Sequence, residues 1–587
     1  MRRQRMIARC VRSVRLGILV AFAGIALAEP ARAQAPLHER IDAMLESAHP
    51  AQPAPLASDA EFVRRIYLDL IGTIPTADEA RQFIDDQSPD KREKLIDRLL
   101  ASPEFTRHMT TVLDVMWMER RPDKHVKTDE WRAYLHAAIA ANRPLNELVR
   151  EILAADGVDD ALRPAAKFYL DREGEPNLLT RDVGRMFFGM DLQCAQCHDH
   201  PFDRWTQREF YQLAAFVGGE MTRLPGRLPK NMQANSQIPQ PLNQGSLYKE
   251  LDIGMREGRM ARRIVRLNRS AVWEHPFKKL KYPHDYAYDD AKPGDFVEPK
   301  GIFGSMPSLS KGKTRREAFA EWMTSTENPR FTMTIANRMW KRAFGVGLIE
   351  PMDDLRDDTQ ASNPELMTFL ASEMKRVDYD LKEFLRIIYN TQAYQRQVTY
   401  DELKPNEPYH FPGPILRRMT AEQVWDSLLA LTLEDPNQYL RPSDKEYLQI
   451  VAVDPKTVTA KSLIDKAEEE QDWRTEENKD RRKFLYKGQL LARASELPQP
   501  LPDGHFLRQF GQSDRQIIAA GNTEGTVPQI LTMFNGPVTH MMLENGSVLY
   551  NEVTACKNAE DATEVIFLSI LNRPPYSRDR AMTVKEI

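Results

Sequence analysis

The stretch Asp59–Asp86, "DAEFVRRIYLDLIGTIPTADEARQFIDD", sets the fold class. Phe62, Val63, Ile66, Tyr67, Leu70 and Ile71 recur at three- and four-residue spacing, which puts them on one face of a helix. Pro75 stops that helix, because its ring fixes φ and removes a donor. Thr76 then opens a second helix, with Glu79 three residues on to close a capping box. "SPDKREKLIDRLLAS", Ser88–Ser102, repeats the device with Ser88 ahead of Pro89.

Working outward, the period stays near 3.6. Helices are expected around Thr110–Trp117, Asp129–Ala141 and Leu145–Ala155, then over "NLLTRDVGRMFFGM" and "TQREFYQLAAFVGG". From 220 to 310 Pro, Gly, Asn and Gln become frequent and only short extended pieces such as "SAVWEH" and "GDFVEP" stand out. Helical periodicity returns at "TRREAFAEWMTS" and runs on through "FTMTIANRMWKRAFG" and "LKEFLRIIYNTQAY". "DKAEEEQDWRTEENKDRRKF" reads as a solvated helix face or a surface insertion. The expectation is a mainly α protein: residues 34–219 helical, 220–310 an irregular connection with a minor β element, and 311–587 helical. "IYLDLIGTIPTADEA" at Ile66–Ala80 is echoed by "IFLSILNRPPYSRDRA" at Ile566–Ala581, a shared helix, Pro-turn, helix device.

The first residues carry Arg2, Arg3, Arg5, Arg9, Arg12 and Arg15, then the apolar run Leu16–Ala28, then Ala31-Arg32-Ala33. That is the layout of a secretory signal peptide over 1–33, its apolar run too short for a comfortable membrane span. A periplasmic or secreted protein is expected, with no transmembrane span after cleavage. The 587 residues carry 81 Lys and Arg against 85 Asp and Glu, so no global charge draws the chain to nucleic acid. After cleavage of Cys10, the cysteines are Cys194, Cys197 and Cys556, too few for a disulfide-stapled scaffold.

Two of these stand in "MDLQCAQCHDHPFDRW", Met190–Trp205, as C-x-x-C-H. Two thiols separated by two residues can each take one haem vinyl group, and the next residue, His198, then falls where its imidazole binds iron. Haem c on Cys194, Cys197 and His198 is the leading expectation, strengthened by the export signal. A zinc or iron clip without haem could instead use Cys194, Cys197, His198 and His200, with Cys556 as a distant partner. A Cys194–Cys197 disulfide or an unmodified structural turn is the third reading. For a sixth iron ligand, Met186, Met190, His108, His125 and His136 are candidates. Arg185 and Arg204 could meet haem propionates, Asp203 could cap the following helix, and Asp353, Asp354, Asp357 and Asp358 read as acidic helix caps. Phosphate-loop, nucleophile-elbow and H-E-x-x-H motifs do not occur.

"VRRIYLDLIGTIPTADEARQFIDD", "KLIDRLLASPEF" and "CAQCHDHPFDRWTQREFYQLAAFVGG" resemble the planctomycete cytochrome-associated domain of unknown function. "RREAFAEWMTSTENPRFTMTIANRMWKRAFGVGLIEPMDDLR", "NPELMTFLASEM", "LKEFLRIIYNTQAYQRQ" and "TVPQILTMFNGPV" resemble the companion domain that usually follows it. The resemblance implies an exported, mainly helical two-domain protein and supplies no reaction. The family pattern carries over at Cys194, Cys197, His198, Asp199, His200 and Pro201. Many relatives add an N-terminal cytochrome domain with its own haem motif; here C-x-x-C-H occurs once.

The expected function is an exported c-type haem-binding protein that transfers electrons, with a periplasmic redox partner, or performs haem redox chemistry. The alternative is a periplasmic or surface binding and scaffold protein whose Cys/His cluster is a metal clip or a structural turn. No catalytic residue, enzyme activity or oligomeric state follows from the sequence.

Overall fold

A computed structural model describes residues 35–586, apart from 49–51, 160, 224–255, 268–269, 276, 305, 307–308, 310–311, 357, 401–406, 440–448, 455–456, 498–500, 502–503 and 513–524. The expected leader, 1–33, lies outside the described residues. Ser58 caps the helix Asp59–Leu70 by accepting the Glu61 N–H at 3.2 Å. Phe62, Val63, Ile66, Tyr67 and Leu70 are buried on one face of it, as their spacing requires. The chain turns through Gly72 at φ +78, where a side chain would run into the His108 ring. Thr76 and Glu79 then cap Ala77–Asp85 reciprocally, at 3.2 and 2.9 Å. The third helix departs from expectation: it spans Lys91–Ala101 with Asp90 at its N-cap. The Asp86 carboxylate accepts the Ser88 N–H at 2.8 Å and holds 86–89 as a turn instead.

The protein is mainly helical, with two small antiparallel sheets among the described residues. One pairs Glu220–Arg223 with Ser270–Glu274, the register placing Glu220 opposite Glu274 and Met221 opposite Trp273. The other is the hairpin Leu485–Tyr486 with Gln489–Leu490, turned by Lys487 and Gly488, both at positive φ. The irregular connection also holds a helix, Arg256–Leu267, that its many arginines conceal. Ala261, Ile264 and Val265 of that helix pack on Leu463 and Ala467. Those two belong to Ala460–Arg482, the charge-dense stretch, which is one 23-residue helix with a buried strip rather than a wholly solvated one. No described helix is long and apolar enough to cross a membrane.

The hydrophobic cores divide the chain differently from its sequence segments. One core is continuous from Ile41 to Phe411, so the first helices after the connection share it with everything before. Phe187 and Phe331 meet across it as a tilted pair with centroids 6.5 Å apart, and Phe188 meets Trp322 edge-on at 5.6 Å. Each such ring contributes about 1.5–3 kcal/mol by burial. Backbone and side-chain hydrogen bonds follow the same seam: Leu145 N–H to Tyr379 O at 3.1 Å, and Arg150 Nε to Thr324 Oγ1 at 3.0 Å. A second core gathers Ala421, Trp425 and Leu429 with residues between Leu490 and Val538.

The two echoing elements pack against each other. Ala77 and Ala80 of the first bury against Leu568 of the second, helix Ala559–Leu571. Asn572 joins them: its Nδ2 donates to Pro75 O at 2.9 Å, its Oδ1 accepts from Arg64 Nη1 at 2.6 Å, and its φ is +55. Asn tolerates the left-handed region better than residues without a short polar side chain. Asn572→Ala removes these bonds and strains the turn together, so it is expected to lower unfolding free energy by about 2–3 kcal/mol, and Asn572→Gly by about 1 kcal/mol less. Denaturant unfolding of both variants checks this; equal losses would show that the backbone conformation contributes nothing.

Candidate functional site

The helix Pro176–Phe188 delivers the C-x-x-C-H segment. Glu175 caps its start, and Gly189 ends it at φ +62, with Met190 N–H donating to Gly184 O at 2.9 Å. A side chain at Gly189 would collide with Leu355, whose N–H donates to Gly189 O at 2.6 Å. Met190, Leu192 and Ala195 then plug into the core, and Trp205 closes the segment from the far side. With alternate residues anchored inward, Cys197, His198 and Asp199 are left exposed and Cys194 half-buried.

Between the anchors the chain makes a single 3-10 turn, Cys194–Gln196. Cys197 N–H and His198 N–H both donate to Cys194 O, at 3.1 and 3.3 Å. The turn is tied down on two sides: Tyr288 Oη accepts the Asp199 N–H at 2.7 Å, and Gln207 Nε2 donates to Gln196 O at 3.1 Å. The following helix, Gln207–Ala214, is capped by Thr206 with Glu209, not by Asp203; Asp199 Oδ1 takes its first N–H, from Gln207, at 2.8 Å. Burial, with the Cys197 thiol beside it as a second cause, pushes the Tyr211 phenol up to about 12.

The two histidines of the loop differ in tautomer. His198 Nδ1 lies 2.7 Å from Asp199 O, which only accepts, so Nδ1 carries the proton and Nε2 keeps a free lone pair. His200 Nδ1 accepts the Phe202 N–H at 3.3 Å, so in the neutral ring its proton is on Nε2. His198 is therefore set as a ligand through Nε2, and His200 is not.

Cys194 and Cys197 are free thiols. Cys556 neighbours Glu552, Asp561 and Arg81 in the C-terminal helices, its thiol donating to Glu552 O at 3.3 Å. Among the described residues no three His, Cys, Asp or Glu side chains gather as a metal-holding group, so Cys194, Cys197, His198 and His200 are not preassembled as one. The sixth-ligand candidates are engaged elsewhere. Met186 and Met190 are buried in the core, His108 faces Arg342, His125 bonds Ser270 and Glu173, and His136 lies near Arg107 and Glu496. Arg185 is taken by Glu119 and Asp182, while Arg204 lies over the Trp205 ring at 4.2 Å. Asp353 and Asp354 do not cap helices; they pair with Arg338 and Arg356, and Asp357 is outside the described residues.

Behind the turn lies a cavity of about 1240 Å³, reached at Asp191 and Gln193 and walled by both halves of the chain. Arg181 and Arg185 face it from the helix that carries the motif, and Arg338, Lys341 and Arg342 from the helix Pro329–Phe344. Sequence reasoning missed this site. Its signal was basic residues at three- and four-residue spacing inside otherwise apolar helices, "TRDVGR" and "NRMWKR".

Residues 36–220 match the family model PSCyt2, described as a protein of unknown function (DUF1549), and residues 315–587 match PSD1, described as a protein of unknown function (DUF1553). The motif lies within the first match. No curated protein and no solved structure matches the chain.

Asp426 lines the cavity, and burial raises its carboxyl to about 6 against the opposing charge of Arg493 and the Ala494 N–H. A raised carboxyl favours folding only while protonated. Its contribution is complete below its ordinary value of 3.8 and lost as pH rises to 6, a difference of about 3 kcal/mol at most. Asp426→Asn keeps an acceptor for the Ala494 N–H without the charge. The variant should match the wild type at pH 4 and exceed it in thermal stability from pH 7 upward; a pH-independent difference would refute the assignment.

Proposed function

We propose, from the premise that the chain joins these two families in this order, that it is an exported protein carrying haem c on Cys194 and Cys197, with His198 as iron ligand. The observation that carries this reading is the His198 imidazole. Its Nδ1–H is held by the Asp199 carbonyl, which fixes the ring and leaves Nε2 as the open donor, the arrangement that orients a ligating histidine. The donors fit the group: two unpaired thiols one 3-10 turn apart, and an imidazole immediately after them, all on the solvent side of a turn whose Ala195 is locked in the core. Cys194 and Cys197 would hold the group through two thioethers, and His198 would bind its iron. Bound haem supplies one-electron redox chemistry.

The remaining residues position that chemistry. Tyr288 and Gln207 keep the turn from unwinding, and Asp199 ties it to the next helix. Cys197 and His198 are exposed, so a haem held there would be open to a periplasmic redox partner. The signal-peptide layout of residues 1–33 and the sequence resemblance to a planctomycete cytochrome-associated domain support the same reading. A zinc clip, by contrast, asks for His200, whose lone pair on Nδ1 is already taken by the loop backbone.

The test is expression with a c-type maturation system, followed by a pyridine haemochrome spectrum and intact mass. Wild type and His200→Gln are expected to carry one covalent haem. The Cys194→Ala, Cys197→Ala double variant is expected to carry none, and His198→Gln to lose the wild-type spectrum. Well-folded wild type with one zinc and no haem-sized mass increment, or equal loss in His200→Gln and His198→Gln, would replace this reading with the metal clip.

A further inference from the structure

Among the described residues, the cavity behind the motif is lined by ten arginines and two lysines against nine carboxylates. Most of those carboxylates are already committed. Glu119 and Asp182 hold Arg121 and Arg185, Glu422 holds Arg120, and Asp353 holds Arg338. Among the described residues no carboxylate lies within ion-pairing distance of Arg107, Arg181, Arg342 or Arg493.

Three of these four are held by neutral acceptors. Arg342 donates to His108 Nε2 at 3.2 Å, and burial together with the Arg342 charge pushes that imidazole down to about 3, so it stays uncharged. Asn437 Oδ1 accepts from Arg107 Nη1 at 2.5 Å and from Arg493 Nε at 3.1 Å. A neutral acceptor orients a guanidinium without pairing its charge directly; the Asp426 carboxylate acts on Arg493, and Asp69 on Arg342, only through space. Arg493 is more than nine-tenths buried, and the Nε atoms of Arg181 and Arg342 are buried with no hydrogen-bond partner. Such groups are costly unless something else satisfies them.

We propose that this cavity binds a compact multivalent oxyanion, its phosphate or sulfate groups bridging Arg107, Arg181, Arg342 and Arg493. Guanidinium forks match the tetrahedral oxyanion bidentately. A volume of about 1240 Å³ exceeds what a single phosphate or sulfate fills, which calls for several anionic groups on one scaffold. Among the described residues Phe510 is the single Phe, Tyr or Trp in the lining, so those walls offer little for nucleobases to stack on. The site is independent of the cofactor reading, since none of these residues touches the Cys194–His198 turn.

The probe is inositol hexakisphosphate, titrated calorimetrically into the full chain at low salt, with inositol hexasulfate and inorganic phosphate as parallel arms. Wild type is expected to bind the hexakisphosphate saturably, one per chain, and inorganic phosphate roughly a hundredfold more weakly. Equal binding of the hexasulfate assigns the site to oxyanions read by charge; its absence assigns it to phosphate. Arg342→Gln should cut affinity about tenfold or more. Asn437→Asp is the sharper variant. It places a carboxylate between Arg107 and Arg493, so it should weaken binding by a similar factor while leaving the melting temperature unchanged or higher. It also keeps the test intact should Arg342→Gln fail to fold. Absence of binding at millimolar probe, or wild-type affinity in a folded Asn437→Asp variant, would overturn the proposal.

Discussion

The pairing of Arg172 with Asp182 inside the larger core governs what surrounds it. The guanidinium is essentially without solvent; its Nε donates to Asp182 at 2.6 Å, and its remaining nitrogens reach Phe168 O at 3.1 Å and Trp117 O at 2.8 Å. Burial alone would raise Asp182, but Arg172, then Arg121, outweigh it and hold the carboxylate below its ordinary value. Removing either partner would strand a buried charge, a loss of several kcal/mol. The pair therefore locks three helices in one arrangement: Pro103–Met118, Lys167–Leu170 and Pro176–Phe188. The last of these carries the motif at its end and part of the cavity on its flank.

That helix also ties the residues before the irregular connection to those after it. Phe187 packs against Phe331, and Arg338 Nη2 donates to Arg185 O at 2.9 Å, so the residues before and after the connection share apolar and polar contacts. Leu355 fills the space that Gly189 leaves, and bonds its carbonyl. The motif turn begins five residues beyond this clasp. A cofactor or ligand site built on such a clasp inherits the rigidity of the core rather than the mobility of a loop.

Local signals in the sequence were legible wherever short-range physics decides. The helix Asp59–Leu70, the Thr76–Glu79 box and the position of Cys194 between two helices all follow from periodicity and capping. Where tertiary contacts choose among local options, reading by spacing failed. Asp203 looked like a cap because it precedes a helix, yet Thr206 holds the capping box and the Asp199 carboxylate swings forward to share the same N-terminus. The helix Arg256–Leu267 was hidden because its apolar strip is narrow and finds its partner some 200 residues later, at Leu463 and Ala467. Asp353 and Asp354 looked like caps because cap residues and ion-pair residues are the same types. The cavity was the hardest to see, since arginines spaced at three and four along an apolar helix read as its solvent face until another helix is known to lie opposite.

The two candidate sites on the Pro176–Phe188 helix share one electrostatic rule. Around the motif turn, backbone carbonyls and N–H groups do the positioning, so the thiols and the imidazole keep their own chemistry with no fixed charge bonded to them. Around the cavity, the same economy is applied to cations: an imidazole and an amide hold guanidiniums that a carboxylate would have neutralised. In both places the protein uses neutral hydrogen bonds to fix a reactive or charged group without consuming it. Neutral acceptors in a core cost less desolvation than carboxylates but return less attraction. Their use here is intelligible if the missing attraction is supplied by what binds.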